Sequence, residues 1–171
     1  MIANSRVFAY PFTETNTDRA GYWRDVGSID AYYEASMDVV ATRPPLDMYD
    51  AKWPIRTYHP DLPPAKFIFD EAETRRVGHA IDSIVCCGST ISGARVKTCV
   101  VGRSVSVHSF ANIEESVLMD GVDVGRGCQI RRAILDEGVR VPANSKIGYD
   151  AASDRASGYH VSESGVVVVT G

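Results

Sequence analysis

Short aliphatic groups recur along the second half of the chain at a fixed period. Ser83-Ile84-Val85, Cys99-Val100-Val101, Ser116-Val117-Leu118 and Ala133-Ile134-Leu135 each place a small residue before two aliphatics, with starts 16, 17 and 17 positions apart. A second series, Val105-Ser106-Val107, Val122-Asp123-Val124 and Val139-Arg140-Val141, recurs at 17 and 17, and Val96, Ile113, Ile130 and Ile147 recur at 17, 17 and 17. Following one inward position gives Val101, Val107, Ile113, Leu118, Val124, Ile130, Leu135, Val141 and Ile147, in steps of 6, 6, 5, 6, 6, 5, 6 and 6. Such a step is too long for an α-helical turn. It fits a triangular prism, in which each side is a short strand, each corner a tight turn, and one aliphatic per side fills the centre. Stacked coils then pair in parallel around a continuous core, as in hexapeptide β-helix repeats. Gly88, Gly93, Gly102, Gly121, Gly125, Gly127 and Gly138 punctuate the series where corners are needed. An antiparallel sandwich with evenly spaced strands is the alternative; a common period in three series favours the prism. Both ends of the stack need covering. The N-terminal region is the expected cover for one end. Residues Tyr159 to Val169, which read as strand, glycine-containing turn and strand, are expected at the other.

The first 70 residues follow other rules. Arg6 to Phe12 alternates in character and predicts a strand. Ser28 is a candidate N-cap with Asp30 in the first turn, and Ile29, Tyr32, Tyr33, Met37 and Val40 give one apolar helical face from about Ile29 to Val40. Pro44 and Pro45 stop that helix. The stretch Trp53 to Phe67 reads as extended and proline-punctuated. One strand and one helix cannot bury each other's faces, so further sheet before residue 1 is expected.

Composition sharpens this division. Of 15 aromatic residues 12 lie in positions 1–70, as do seven of eight prolines, whereas valine counts 4 there and 17 beyond. Two regions are predicted, 1–70 and 71–171, joined through a solvated charged run at Asp70–Arg76. Lys+Arg 18 against Asp+Glu 22 gives a net charge of −4, with no electrostatic footprint for nucleic acid. The wholly apolar run Val166–Val169 is far too short for a bilayer span, and no charged-then-apolar leader opens the sequence. No membrane partner is expected. Cys86, Cys87, Cys99 and Cys128 show no C-x-x-C spacing, and free thiols in a reducing cytoplasm are the expectation.

Hexad prisms can also carry acyltransferase chemistry, with a histidine at a subunit interface as general base. His108 follows the inward Val107 and is expected to point outward. A metal-dependent hydratase needs converging histidines, and His59, His79, His108 and His160 lack that spacing. A purely structural oligomerisation module is the third possibility.

Gly21-Tyr22-Trp23-Arg24-Asp25-Val26-Gly27-Ser28-Ile29, Leu46-Asp47-Met48-Tyr49-Asp50, Trp53-Pro54-Ile55-Arg56-Thr57-Tyr58 and Leu62-Pro63-Pro64-Ala65-Lys66-Phe67, followed by Ile91-Ser92-Gly93, Arg131-Arg132 and Val141-Pro142, resemble the last part of bacterial glucose-1-phosphate adenylyltransferases (ADP-glucose pyrophosphorylases). The resemblance implies a mainly β fold: a left-handed parallel β-helix of hexapeptide repeats, preceded by the α/β end of a Rossmann-like nucleotidyltransferase domain. It implies joining ATP and glucose 1-phosphate to give ADP-glucose and pyrophosphate for glycogen synthesis, with Mg2+. The family's glycine-rich G-G-x-G-T-R-L loop is absent from these residues, so they are expected to be inactive alone. The resemblance places Asp25 near the sugar phosphate and metal, where magnesium prefers hard oxygen ligands, and makes Trp23 a wall of the sugar site. Asp25 as a loop residue capping the helix is the competing view. The resemblance further implies sugar-phosphate or nucleotide effectors, for which Arg126, Arg131 and Arg132 form the basic cluster, and a homotetramer. Glu137 stands where the family carries an effector-binding arginine, and would repel phosphate.

Overall fold

The computed structural model describes residues 6–13, 20–52, 54–71 and 73–171. Helix α1 spans Ile29–Val40, and the Ser28 hydroxyl accepts the Ala31 N–H at 3.2 Å, satisfying one of its orphan donors. The chain turns extended at Ala41, ahead of Pro44 and Pro45. The strand predicted over Arg6–Phe12 does not form. Val7, Phe8 and Tyr10 are exposed, and a bridge from Thr13 to Ala20 is the pairing found there among the described residues. A lone strand has no partner to complete its ladder. The Trp53 of the extended stretch lies outside the described residues.

The prism begins with β1 (Lys66–Ile68), ahead of position 70. The charged run that follows is a short antiparallel hairpin, β2 (Asp70–Glu71) and β3 (Arg76–Val77), and β4 (His79–Ile81) and β5 (Ile84–Val85) complete the first coil. The second coil is β6 (Thr90–Ser92), β7 (Arg95–Lys97) and β8 (Val100–Val101); the third is β9 (Ser106–Val107), β10 (Asn112–Glu114) and β11 (Val117–Leu118). The fourth is β12 (Asp123–Val124), β13 (Gln129–Arg131) and β14 (Ala133–Leu135). Next come β15 (Arg140–Val141) and β16 (Lys146–Ile147), then an insertion holding α2 (Ala151–Ala156) and β17 (His160–Val161), and last β18 (Val167–Val169).

Three sheets result, ordered β1-β6-β9-β12-β15, β16-β13-β10-β7-β4 and β17-β18-β14-β11-β8-β5, parallel throughout except where β17 meets β18. The fold is a parallel β-helix of hexapeptide repeats. Register follows the predicted columns: Val96 pairs with Ile113, Ile113 with Ile130, and Ile130 with Ile147. All nine predicted inward aliphatics from Val101 to Ile147 are buried. Two positions earlier on each side, small residues such as Ala94, Cys99, Ala111, Cys128 and Ala133 also pack inward. At the corner between the second and third sheets, Asp82, Thr98, Glu115 and Arg132 all adopt positive φ, from 47° to 53°. Gly148 is a corner that requires glycine: its φ is +81°, and a Cβ there would lie 1.7 Å from the Arg131 carbonyl oxygen.

The predicted tail hairpin forms, with α2 unanticipated before it. Tyr159 and Val161 pack onto the core, and buried Asp154 accepts the Gly148 N–H at 3.1 Å. The first coil is less covered: Phe67 is 45% exposed. The N-terminal region is the expected cover for one end, but its helix α1 lies instead on a flank. Tyr33 of α1 forms a second buried cluster with Val117, Ile134 and Val166 on the outer side of the third sheet, and Ile29, Tyr32, Met37, Val100 and Val168 pack around it. Adjacent strand residues point to opposite faces. Val101, Leu118 and Leu135 therefore fill the prism, while Val100, Val117 and Ile134 before them meet the helix. No helix among the described residues is long and apolar enough to cross a membrane.

Candidate functional site

The segment carrying Trp23 and Asp25 is extended, lies just before α1, and is fastened to that helix. Tyr22 donates its hydroxyl hydrogen to Asp38 Oδ2 at 3.0 Å, and Arg24 donates to the same oxygen from Nε at 2.9 Å and Nη2 at 2.8 Å. Burial, followed by the hydrogen bond it donates to Asp38, raises the Tyr22 hydroxyl above its ordinary pKa. Trp23 is 80% exposed, and Asp25 is exposed beside it. One Asp25 oxygen, Oδ1, accepts the Gly27 N–H at 3.1 Å, closing an Asx turn. The helix cap is Ser28, so Asp25 does not cap α1. Its second carboxylate oxygen fits one ligand of a magnesium ion, but the described residues contain no group of three or more His, Cys, Asp or Glu side chains able to hold a metal. The remaining ligands would be waters, substrate phosphates or groups from elsewhere.

The three predicted arginines divide between two corners. Arg131 ends β13 and faces Glu115 across 3.6 Å. Arg132 occupies the next corner position, where its guanidinium lies 5.6 Å from the Tyr33 ring centroid and donates to the Ser164 carbonyl at 3.1 Å. Arg126 precedes β13 and stacks over Phe110 at 4.4 Å. β13 lies between them, so Arg126 does not share a corner with the other two. Glu137 follows β14 in an exposed turn, with its N–H bonded to Asp136 Oδ1 at 2.8 Å. His108 points outward as predicted, and its Nε2 lies 2.8 Å from Asp123 Oδ1, with both side chains about half exposed.

The corner holding Arg131 and Arg132 also carries residues that the pattern did not identify. Tyr33 donates to the Glu115 carbonyl at 2.8 Å. Asp30 accepts from the hydroxyls of Ser162 and Ser164, bonds that hold its carboxyl below the ordinary carboxylate range. α1, a prism corner and the tail hairpin therefore meet at one place. The doubled aliphatics in each triplet were the available signal, because they require something to cover the outer face.

The GlmU-like, C-terminal hexapeptide family model matches residues 63–169. The chain is 52% identical over 169 residues to a glucose-1-phosphate adenylyltransferase of Rhodopirellula baltica, covering 98% of this chain and 38% of the relative. Enzymes of the same name from Koribacter versatilis and Shewanella frigidimarina are 46% and 48% identical over 170 residues, each covering 99% of this chain and 40% of the relative. The chain thus spans about two-fifths of the length of these curated relatives. With a five-strand parallel ladder on each prism face and a family match over most of its length, the chain belongs to the GlmU-like, C-terminal hexapeptide family and corresponds to the C-terminal part of glucose-1-phosphate adenylyltransferases.

Proposed function

We propose that the chain is the regulatory and oligomerisation part of an enzyme that makes ADP-glucose from ATP and glucose 1-phosphate, in the cytoplasm, for glycogen synthesis. The observation that carries this reading is the alignment of 98% of the chain, at 52% identity, with one such enzyme. Residues ahead of β1, which starts at Lys66, are the end of the nucleotidyltransferase domain and a linker to the prism. There, Trp23 offers an apolar wall to the sugar, and Asp25 would offer one carboxylate oxygen to a magnesium ion. Bound magnesium would neutralise phosphate charge during transfer. The chain's own contribution is to place an aromatic face and a carboxylate two residues apart on one exposed segment. Without an ATP-binding loop, the 171 residues are inactive by themselves.

Arg131 and Arg132 are the arginines suited to a phosphate-bearing effector, since a guanidinium offers a forked set of donors. They adjoin the helix that carries the Trp23 segment, which supports a regulatory role for that corner. Arg126, stacked at another corner, is a weaker contributor. Glu137 opposes anions, so effector selectivity differs from that of relatives with arginine there. Replacing Glu137 by Arg in the assembled enzyme should change the response to sugar phosphates and AMP; an unchanged response overturns that role. The incompletely covered first coil, with Phe67 exposed and β1, β4 and β5 at the sheet edges, supports self-association toward a homotetramer. Light scattering of the chain should give an oligomer mass, and a monomer would contradict this.

The reading as a whole is tested by mixing. The chain and a separately produced preceding portion of the Rhodopirellula relative should each fail to make ADP-glucose and succeed together. Failure when both are folded would leave a scaffolding role.

A further inference from the structure

We infer that Asp38 is a positioning residue for the Trp23–Asp25 pair, holding the backbone on both sides of Trp23 against α1 so that indole and carboxylate are presented together. The inference rests on the reading of Trp23 and Asp25 as glucose 1-phosphate contacts. Alternate residues of an extended segment point to opposite sides. Tyr22 and Arg24 turn toward the helix and end on one oxygen of Asp38, at 3.0 Å and at 2.9 and 2.8 Å. Trp23 and Asp25 consequently project to the other side, where both are exposed. Among the described residues, the side-chain hydrogen bonds that tie positions 22–26 to α1 all end on Asp38. The post to which they are tied is itself fixed. Tyr33 bonds the Glu115 carbonyl, and Asp30 bonds Ser162 and Ser164, so α1 is held to the prism at two points before Asp38. A binding pair on an irregular segment gains precision when supporting groups lock it to a rigid element.

The test uses the whole 171-residue chain, labelled with nitrogen-15, in native, Asp38→Asn and Asp38→Ala forms. Heteronuclear NOEs of the amides at positions 22–27 report the order of the segment. Shifts of the Trp23 indole N–H during titration with glucose 1-phosphate report binding. In Asp38→Ala the NOEs at 22–26 should fall while those of α1 and the melting temperature hold, and the Kd for glucose 1-phosphate should rise about tenfold. Asp38→Asn should fall between, because its amide oxygen still accepts from Tyr22 but lacks the charge that Arg24 pairs with. Unchanged NOEs in Asp38→Ala overturn the inference, as does a loosened segment with an unchanged Kd. If the native chain shows no shift with glucose 1-phosphate while Asp38→Ala still loosens the segment, Asp38 stands as the clamp and the sugar-phosphate reading falls.

Discussion

Tyr33, on the helix that precedes the prism, donates its hydroxyl hydrogen to the carbonyl oxygen of Glu115, 82 positions later, at 2.8 Å. That bond sits where two regions of different composition are joined. Tyr33 is 6% exposed and packs on Val117, Ile134 and Val166, so it contributes both apolar burial and a specific anchor.

Removing the hydroxyl separates these contributions. Tyr33→Phe should cost about 1 kcal/mol, the typical net value of a neutral hydrogen bond. Tyr33→Ala should cost about 3–5 kcal/mol, as truncations of large buried aromatics do. Urea unfolding followed by circular dichroism measures both. Equal losses would show that the ring's burial contributes little.

Position along the prism radius sets the cost of a core truncation. Ile113 is fully buried in the middle coil, whereas Ile81 is 45% exposed on the first. Ile113→Ala should cost about 2–5 kcal/mol through lost transfer energy and the cavity left behind, and Ile81→Ala within about 0.5 kcal/mol, as for a surface change. The same unfolding series gives both values, and similar losses would refute the assignment of inward and outward positions.

Acid sensitivity follows from three carboxyls held below their ordinary pKa values. Hydrogen bonds from Ser162 and Ser164 lower Asp30, one from Arg95 lowers Glu114, and one from Arg103 lowers Asp120. In each case the folded pKa lies below the unfolded one, near 3.8 for the aspartates and 4.5 for the glutamate. Their stabilisation is complete above those unfolded values and is lost as pH falls through the folded ones. Melting temperature should therefore be insensitive to these groups at neutral pH and drop below about pH 4.5. Asp30→Asn should flatten part of that drop; an identical acid limb would remove Asp30 from the account.

The thiols should differ in reactivity. Cys99 is fully buried, and desolvation pushes its pKa up to about 12. Cys128 is buried and also raised, chiefly by burial. Neither should react with a thiol reagent at pH 8 until the prism unfolds, because the thiolate is the reactive form. Cys86 and Cys87, half-buried, are the sites expected to react first. Mass spectrometry of the labelled native chain distinguishes them, and early labelling of Cys99 would contradict its inward placement.

Much of the prism was legible because inward positions recur and a parallel stack repeats its register: Val107, Val124 and Val141 are neighbours in sequence pattern and in space. Ser28 was legible as a cap because capping is local chemistry. The seat of α1 was less visible. Val100, Val117 and Ile134 signalled a second buried face, but pattern alone did not say which element covers it. The arginines show the opposite limit. Arg126 and Arg131 are close in sequence, but one side of the prism separates them, whereas Arg132 meets Ser164 from 32 positions away. Strand formation at Arg6–Phe12 depended on a partner strand that local alternation cannot supply. Asp38 carried no motif; its role becomes visible only when Tyr22 and Arg24 are placed beside it.

The central claim is that these residues serve an ADP-glucose-forming enzyme. Its most direct test is to graft this chain in place of the matching C-terminal portion of the Rhodopirellula relative and to measure pyrophosphate released from ATP and glucose 1-phosphate. The account predicts a folded, oligomeric chimaera with a kcat/KM within about tenfold of the parent, a loss of less than about 1.4 kcal/mol of transition-state stabilisation. A folded chimaera that binds ATP yet releases no pyrophosphate would contradict it.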